Sequence, residues 1–451
     1  MKDVLKISIV DIQNNQLATN KTMAGGFGTS SAYSKTNNVI LNTLQKIKSK
    51  SVRIPLLEFG YLAHIFESQG HSVDIVYSAQ VDTKSDVFLI YTSLVEFKNE
   101  MACIKHIRDN NPTAKVGLIG LLPTVLSEEL LILADFVIKG EPDTFFYLNP
   151  INKLKLDGVL KGDILQDIDE LPFPKWNKFN MKQFVHKPFF SNKTVYPVLS
   201  SRGCPFSCKY YCAYPIFAGA KVRYRDVDKL IEELDYLRNT YNAQAILFRD
   251  PTFTLNKKRI EELCDKMIEK KYNYLWACET HPTCLTTQLI DKMKAAGCVA
   301  ITIGVESRTE DVLVKSHRFD TKEEKLIEMI NYCEKNNVKI MAGYIFGNLN
   351  DTISSIKNTI NYAKLINTSY AQFTISTPYP GTEYYKDIKD TITTFDWENY
   401  DTYTLVFKHK FLTVTDIETL KNKAYSTYYL RPKWLFKRYL KNKVYDLLNR
   451  R

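Results

Sequence analysis

Between Lys6 and Glu141, short and densely apolar runs alternate with stretches in which apolar residues recur every three or four positions. KISIVDI, VDIVYS, DVFLIYTS, KVGLIGL and DFVIKG are rich in β-branched residues and too short for buried helices, so each predicts a strand. PLLEFGYLAHIFESQG reads as a helix ended by Gly70. Strands and helices alternating at this spacing predict a doubly wound parallel sheet, whose ligands bind beyond the carboxyl ends of its strands. Those ends carry Thr92 and Ser93, then Gly120 to Thr124 with Pro123 among them, then Gly140 and Glu141. The same residue types are also those of ordinary turns.

Over residues 151–190 the pattern lapses, and the prolines of DELPFPKWNKF mark a linker. From about residue 195 it resumes with VYPVLSS, AILFRD, YLWACET, AITIGVES, KIMAGYIFG and YAQFTIST as strands, separated by longer helices. Leu230, Ile231, Leu234 and Leu237 form one apolar stripe, and Thr321 with Glu324 predicts a capping box. Six successive β/α units predict a barrel or partial barrel with its active site at the carboxyl ends of the strands. The expected division is a sheet domain over 1–150, a linker over 151–190, a core over 191–405 and a basic helical region over 406–451.

Composition changes this picture little. Hydrophobic residues at 45% and charged ones at 25% suit a soluble globular chain, and no long apolar run predicts a transmembrane helix. No signal peptide is evident, and the expected compartment is the cytoplasm. The net charge of +11 raises a nucleic-acid reading, but from Arg431 to Arg451 eight Lys or Arg face the single Asp446. That tail reads as a packed terminal helix with a solvated basic face, suited at most to weak contact with an anionic membrane surface. MAGGFGTSSAYSK lacks the spacing of a phosphate loop and reads instead as a loop over a pocket.

Cysteines change it more. Six of the nine are scattered singly, which fits buried thiols in a reducing compartment. The other three lie together in RGCPFSCKYYCAYP as Cys204, Cys208 and Cys212, directly after the first core strand. Closed zinc sites use four protein ligands, so three is one short. Three thiolates can instead hold a 4Fe-4S cluster and leave its fourth iron open to a small molecule. Pro205 and Gly203 argue against three thiols on one helix face.

This stretch resembles the radical S-adenosylmethionine superfamily, whose loop runs Cys-x-x-x-Cys-x-aromatic-Cys. The resemblance implies that the open iron chelates S-adenosylmethionine and that one electron cleaves it to a 5′-deoxyadenosyl radical. Tyr211 matches the aromatic that packs on the adenine. The second gap, Lys209-Tyr210-Tyr211, is one residue longer than the family's, and Tyr210 is the added residue. Later strand ends match as well: Arg249 and Asp250 in FRDPTFT, Glu279 in WACETH, Glu306 in GVES, and PYPGT from Pro378. The resemblance implies that the strand end at Arg249 and Asp250 contacts the methionyl amino group and that Glu279 and Glu306 face the cofactor, Glu306 at the ribose hydroxyls, whereas PYPGT recurs after the sixth strand in one branch. His281 is the one histidine near this chemistry and a candidate proton relay, whereas His64 and His71 read as structural.

The whole architecture resembles the cobalamin-dependent branch, particularly enzymes akin to the anaerobic magnesium-protoporphyrin monomethyl ester cyclase. The implied fold is a Rossmann-like cobalamin-binding sheet followed by the six-unit core. The implied cofactors are a 4Fe-4S cluster, S-adenosylmethionine and cobalamin, with Thr92, Ser93, Gly120, Pro123, Thr124 and Glu141 toward the corrin. No Asp-x-His-x-x-Gly motif for a lower cobalt ligand is present. The expected function is methylation of an unactivated carbon, with cyclisation or rearrangement without net methyl transfer as the runner-up. The expected partners are a small-molecule substrate and an electron donor such as flavodoxin or ferredoxin, with no nucleic acid. A zinc or nucleic-acid-binding protein is the rival from another class.

Overall fold

A computed structural model describes residues 4–13, 19–30, 51–315 and 323–435. The described residues fall into two compact units. The first is drawn from the chain up to Pro251 and from Thr377–Val406, the second from Thr252–Ser376 and the chain from Phe407 on.

In the first unit, strands β1 (Lys6–Val10), β2 (Ser72–Val76), β3 (Val87–Tyr91), β4 (Lys115–Ile119), β5 (Phe136–Lys139) and β6 (Gly158–Lys161) form one sheet. Its order is β2-β1-β3-β4-β5-β6, with every pairing parallel. β3, VFLIY, is buried at all five positions, as a central parallel strand covered on both faces requires. Helices α1 (Leu57–Ser68), α2 (Phe97–Asn110), α3 (Leu121–Val125) and α4 (Pro142–Leu148) supply the crossovers. The order reverses direction between β1 and β3, which makes the carboxyl ends of those strands the switch point. β6 falls within residues 151–190, where the apolar pattern marks no strand, because GVLK is too short to show alternation.

The first unit also contains the parallel pair β7 (Val195–Val198) and β8 (Ala245–Phe248), joined through α5 (Val227–Tyr241). Leu230, Ile231, Leu234 and Leu237 form the buried stripe of α5, as their spacing predicts. The Asp226 carboxylate accepts from the Asp228 and Lys229 N–H groups and starts the helix. Left-handed Asn242 ends it.

The second unit is built on β9 (Leu275–Thr280), β10 (Cys298–Glu306), β11 (Lys339–Phe346) and β12 (Tyr370–Ile375), parallel and paired in that order. α6 (Lys257–Glu269), α7 (Thr287–Ala295), α8 (Glu323–Lys335), α9 (Ile353–Ile366) and α10 (Val414–Tyr429) accompany them. Thr321 of the expected capping box and most of the basic tail lie outside the described residues. Among the described residues no helix is long and apolar enough to cross a membrane.

Candidate active site

The three cysteines sit on one closed loop. Ser201–Arg202 pairs antiparallel with Arg223–Tyr224, and this two-residue ribbon closes the loop at its base. Cys204 N–H donates to the Gly219 carbonyl at 3.1 Å. Gly203 has φ +93°, and a Cβ there would stand 2.2 Å from the Lys221 carbonyl oxygen, so no other residue fits. Beyond it, Ser207–Tyr210 winds into a short 3-10 turn.

The added residue is absorbed by that turn. The N–H groups of Tyr211 and Cys212 both point at the Cys208 carbonyl, at 3.1 and 2.9 Å, so Cys208 and Cys212 are closed as one i to i+4 turn. Tyr210 projects away from it. Its hydroxyl donates to Asp387 at 3.0 Å, and its ring lies 5.6 Å from that of Tyr384. Tyr384 and Asp387 share one face of the short helix Glu383–Ile388, being three residues apart.

Cys212 feels the other two thiols. The Cys208 side chain, within hydrogen-bonding reach, holds the Cys212 thiol well above the usual cysteine range, and burial adds to this. The Tyr214 N–H opposes the shift, while Cys204 reinforces it. Three thiolates at this spacing repel one another unless a cation shares them, which is what an iron cluster supplies. Thiolate is the ligand such clusters take, and the loop offers three cysteine thiols, so the donor set fits a cluster.

Around the loop, Asp250 is fully buried and accepts from Ser200 N–H at 3.0 Å, Ser200 Oγ at 2.7 Å and Ser201 Oγ at 2.6 Å. It therefore fixes the chain's entry to the cysteines. Arg249 donates to the Thr22 carbonyl at 2.9 Å. Tyr379 of PYPGT stacks on Phe27, ring centroids 4.8 Å apart. The Gly-rich segment around Thr22 to Phe27 is thus held by two residues that the family pattern singles out.

In the second unit, Glu279 lies near the end of β9 and Glu306 ends β10. Glu306 has φ +66° and follows a register shift between Gly304 and Glu306. A bulge with a left-handed carboxylic residue is costly backbone, of a kind that re-aims a side chain beside an active site. His281 caps the turn at Pro282, its Nδ1 accepting from Thr283 N–H at 3.4 Å. His64 meets the Phe173 carbonyl at 2.6 Å, and His71 Nδ1 accepts from Leu5 N–H at 3.4 Å, both structural as expected.

At the first sheet's strand ends the side-chain polar groups are spent internally. Thr92 Oγ1 donates to the Ile90 carbonyl, and Ser93 donates to Glu100 through both N–H and hydroxyl. Thr124 Oγ1 donates to the Gly120 carbonyl and accepts from Gly140 N–H. Pro123 is buried in α3, and Glu141 is ion-paired to Arg202 and Arg223. What this edge offers a corrin is therefore backbone and small-residue surface. The sequence pattern gave no sign of Lys21, which is buried at the switch point 2.8 Å from Glu100 and 3.1 Å from Asp11. Burial alone would lower its pKa, but the two carboxylates outweigh it and the net shift is upward. A lone lysine in a polar stretch carries no periodicity that would reveal such pairing.

Residues 198–363 match the family described as the Radical SAM superfamily. An uncharacterized methyltransferase of Pyrococcus horikoshii is 32% identical over 278 residues, 61% of this chain and 59% of that protein. The bacteriochlorophyllide d C-12(1)-methyltransferase of Chlorobaculum tepidum is 26% identical over 302 residues, 66% of this chain and 65% of that one. The anaerobic magnesium-protoporphyrin IX monomethyl ester cyclase of Rubrivivax gelatinosus is 24% identical over 246 residues, 54% of this chain and 43% of that one. The matched stretch thus spans between about two fifths and two thirds of these relatives. The cobalamin-dependent S-adenosylmethionine radical enzyme OxsB, solved with aqua-cobalamin and S-adenosylmethionine bound, has the same fold at a TM-score of 0.65 and 12% identity. The likeness covers 98% of this chain and 71% of OxsB.

Proposed function

We propose that this chain is a radical S-adenosylmethionine methyltransferase that uses cobalamin and acts at an unactivated carbon of a small molecule. The observation that carries the reading is the closed loop that presents Cys204, Cys208 and Cys212 together, Cys204 N–H tied to Gly219 and Cys212 N–H to the Cys208 carbonyl, within the stretch that matches the Radical SAM superfamily. When bound, the cluster supplies the electron that cleaves S-adenosylmethionine, and cobalamin supplies a methyl carrier.

This chain's residues divide the remaining work. Cys204, Cys208 and Cys212 hold the cluster, and Tyr211 offers its ring to the adenine. Glu279 and Glu306 accept from the ammonium and hydroxyl donors of S-adenosylmethionine, as ionised carboxylates do. Arg249 and Asp250 order the approach to that site. The edge at Thr92, Ser93, Gly120, Pro123, Thr124 and Glu141 meets the corrin chiefly through backbone and small side chains. The six β/α units complete a partial barrel, and the electron donor is a small redox protein such as flavodoxin or ferredoxin. The basic tail is suited to weak membrane-surface contact, and the compartment is the cytoplasm.

Anaerobic purification followed by iron, sulfide and cobalamin analysis tests the cofactors. Methyl transfer requires one S-adenosylhomocysteine for each 5′-deoxyadenosine, with activity dependent on cobalamin. Likeness to the cyclase favours a second reading, in which 5′-deoxyadenosine forms without matching S-adenosylhomocysteine. Stoichiometric zinc without iron would overturn both.

A further inference from the structure

Glu141 ends the turn after β5, and its side chain is 4% exposed. Its carboxylate takes Arg223 in a two-pronged pair, at 2.7 and 3.1 Å, and lies 3.3 Å from Arg202 Nη1. Asp143, two residues on and fully buried, takes both terminal nitrogens of Arg202. Arg202 and Arg223 are the two residues that face each other in the ribbon closing the cysteine loop. Arg223 also donates to the carbonyls of Leu165 at 2.8 Å and Ala218 at 3.1 Å, the second of which lies on the loop's returning limb. Two anions that follow β5, Glu141 in the turn and Asp143 at the start of α4, thus neutralise the two cations that bracket all three cysteines. Buried guanidiniums leave such anions only at high cost, so the ribbon is held where the sheet's edge puts it.

We propose that Glu141 is a positioning residue for the cysteine loop, setting through Arg223 and Arg202 where Cys204, Cys208 and Cys212 stand. Glu141 reaches no cysteine itself. It clamps the base of the loop from which Cys204 emerges two residues after Arg202. The proposal rests on the radical-enzyme reading only where a cluster is measured.

The test compares full-length wild type with Glu141→Gln, Arg223→Gln and the double variant, without metal and under anaerobic conditions. Iodoacetamide labelling of each cysteine is followed by peptide mass spectrometry, with buried Cys264 of the second unit as the internal reference. Glu141→Gln should speed labelling of Cys204, Cys208 and Cys212 about tenfold, the ratio expected for losing one charge-assisted hydrogen bond, and leave Cys264 unchanged. The double variant should be no faster than either single one, because the same tie is cut. After reconstitution, the reduced cluster of Glu141→Gln should give a broadened electron paramagnetic resonance signal, and less iron should be retained against a chelator. Arg223→Gln carries the test should Glu141→Gln not fold. Unchanged labelling, equal acceleration of Cys264, or additive single variants would overturn the proposal, as would a Glu141→Gln protein that loses only added cobalamin. A wild type that builds no cluster defeats the proposed function, while the labelling rates still decide the tie.

Discussion

Tyr429 uses one hydroxyl twice on Ala371, donating to its carbonyl at 2.7 Å and accepting from its N–H at 2.9 Å. Four residues earlier on α10, Tyr425 does the same to Phe373, at 3.1 Å in both directions. The i, i+4 spacing of a helix therefore matches the i, i+2 spacing of backbone groups on β12, the last strand of its unit. The tyrosines stand in for a neighbouring strand. An edge left bare would present two N–H and two carbonyl groups to another chain.

Replacing Tyr425 and Tyr429 together by Phe should keep the ring packing and orphan these groups. Stability should fall by roughly 2–4 kcal/mol, about 0.5–1 kcal/mol for each of the four bonds lost, read by chemical denaturation. Size-exclusion chromatography with light scattering should show concentration-dependent association that wild type lacks. A monomer of unchanged stability would dismiss the edge-sealing role.

Replacing Cys204, Cys208 and Cys212 by Ala should abolish iron and sulfide binding and the cleavage of S-adenosylmethionine. Cys264→Ala and Cys333→Ala should leave both intact, because those thiols are fully buried on α6 and α8. Iron analysis and the visible absorption spectrum decide it.

Deleting Tyr210 restores the family's two-residue gap but removes both the i to i+4 closure of Cys208 with Cys212 and the contact with Asp387. The deletion should therefore retain less cluster than wild type. Tyr210→Phe keeps the closure and loses only a half-exposed hydrogen bond, at a cost under about 1 kcal/mol. Full cluster occupancy in the deletion would show the longer gap to be dispensable.

Alkaline pH should weaken the metal-free protein. Burial, reinforced by Glu100, pushes the Cys103 thiol up to about 12, against about 8.5 for an unfolded chain. A folded pKa above the unfolded one gives stability that is present below about pH 8.5 and lost as pH rises through the folded value. The loss should be about 1.4 kcal/mol per pH unit for this thiol, and Cys103→Ala should flatten the slope. Urea midpoints at pH 7.5, 8.5 and 9.5 measure it.

Much of this protein was legible along the chain. Apolar runs placed the first five strands of the sheet and all six strands from Val195 to Ile375, because continuous or alternating apolar runs of strand length are a local property of the chain. The three cysteines were legible because ligand spacing within one loop is a local property. Tertiary structure decided the rest. GVLK becomes a strand only because β5 offers it an edge. Glu141 faces two arginines 61 and 82 residues further on, and Lys21 finds Asp11 just after β1 and Glu100 on α2. Charge pairing over such distances leaves no periodic trace, because the partners need only meet in space. Residue spacing could name Tyr210 as the extra residue, but only the fold could give it Asp387.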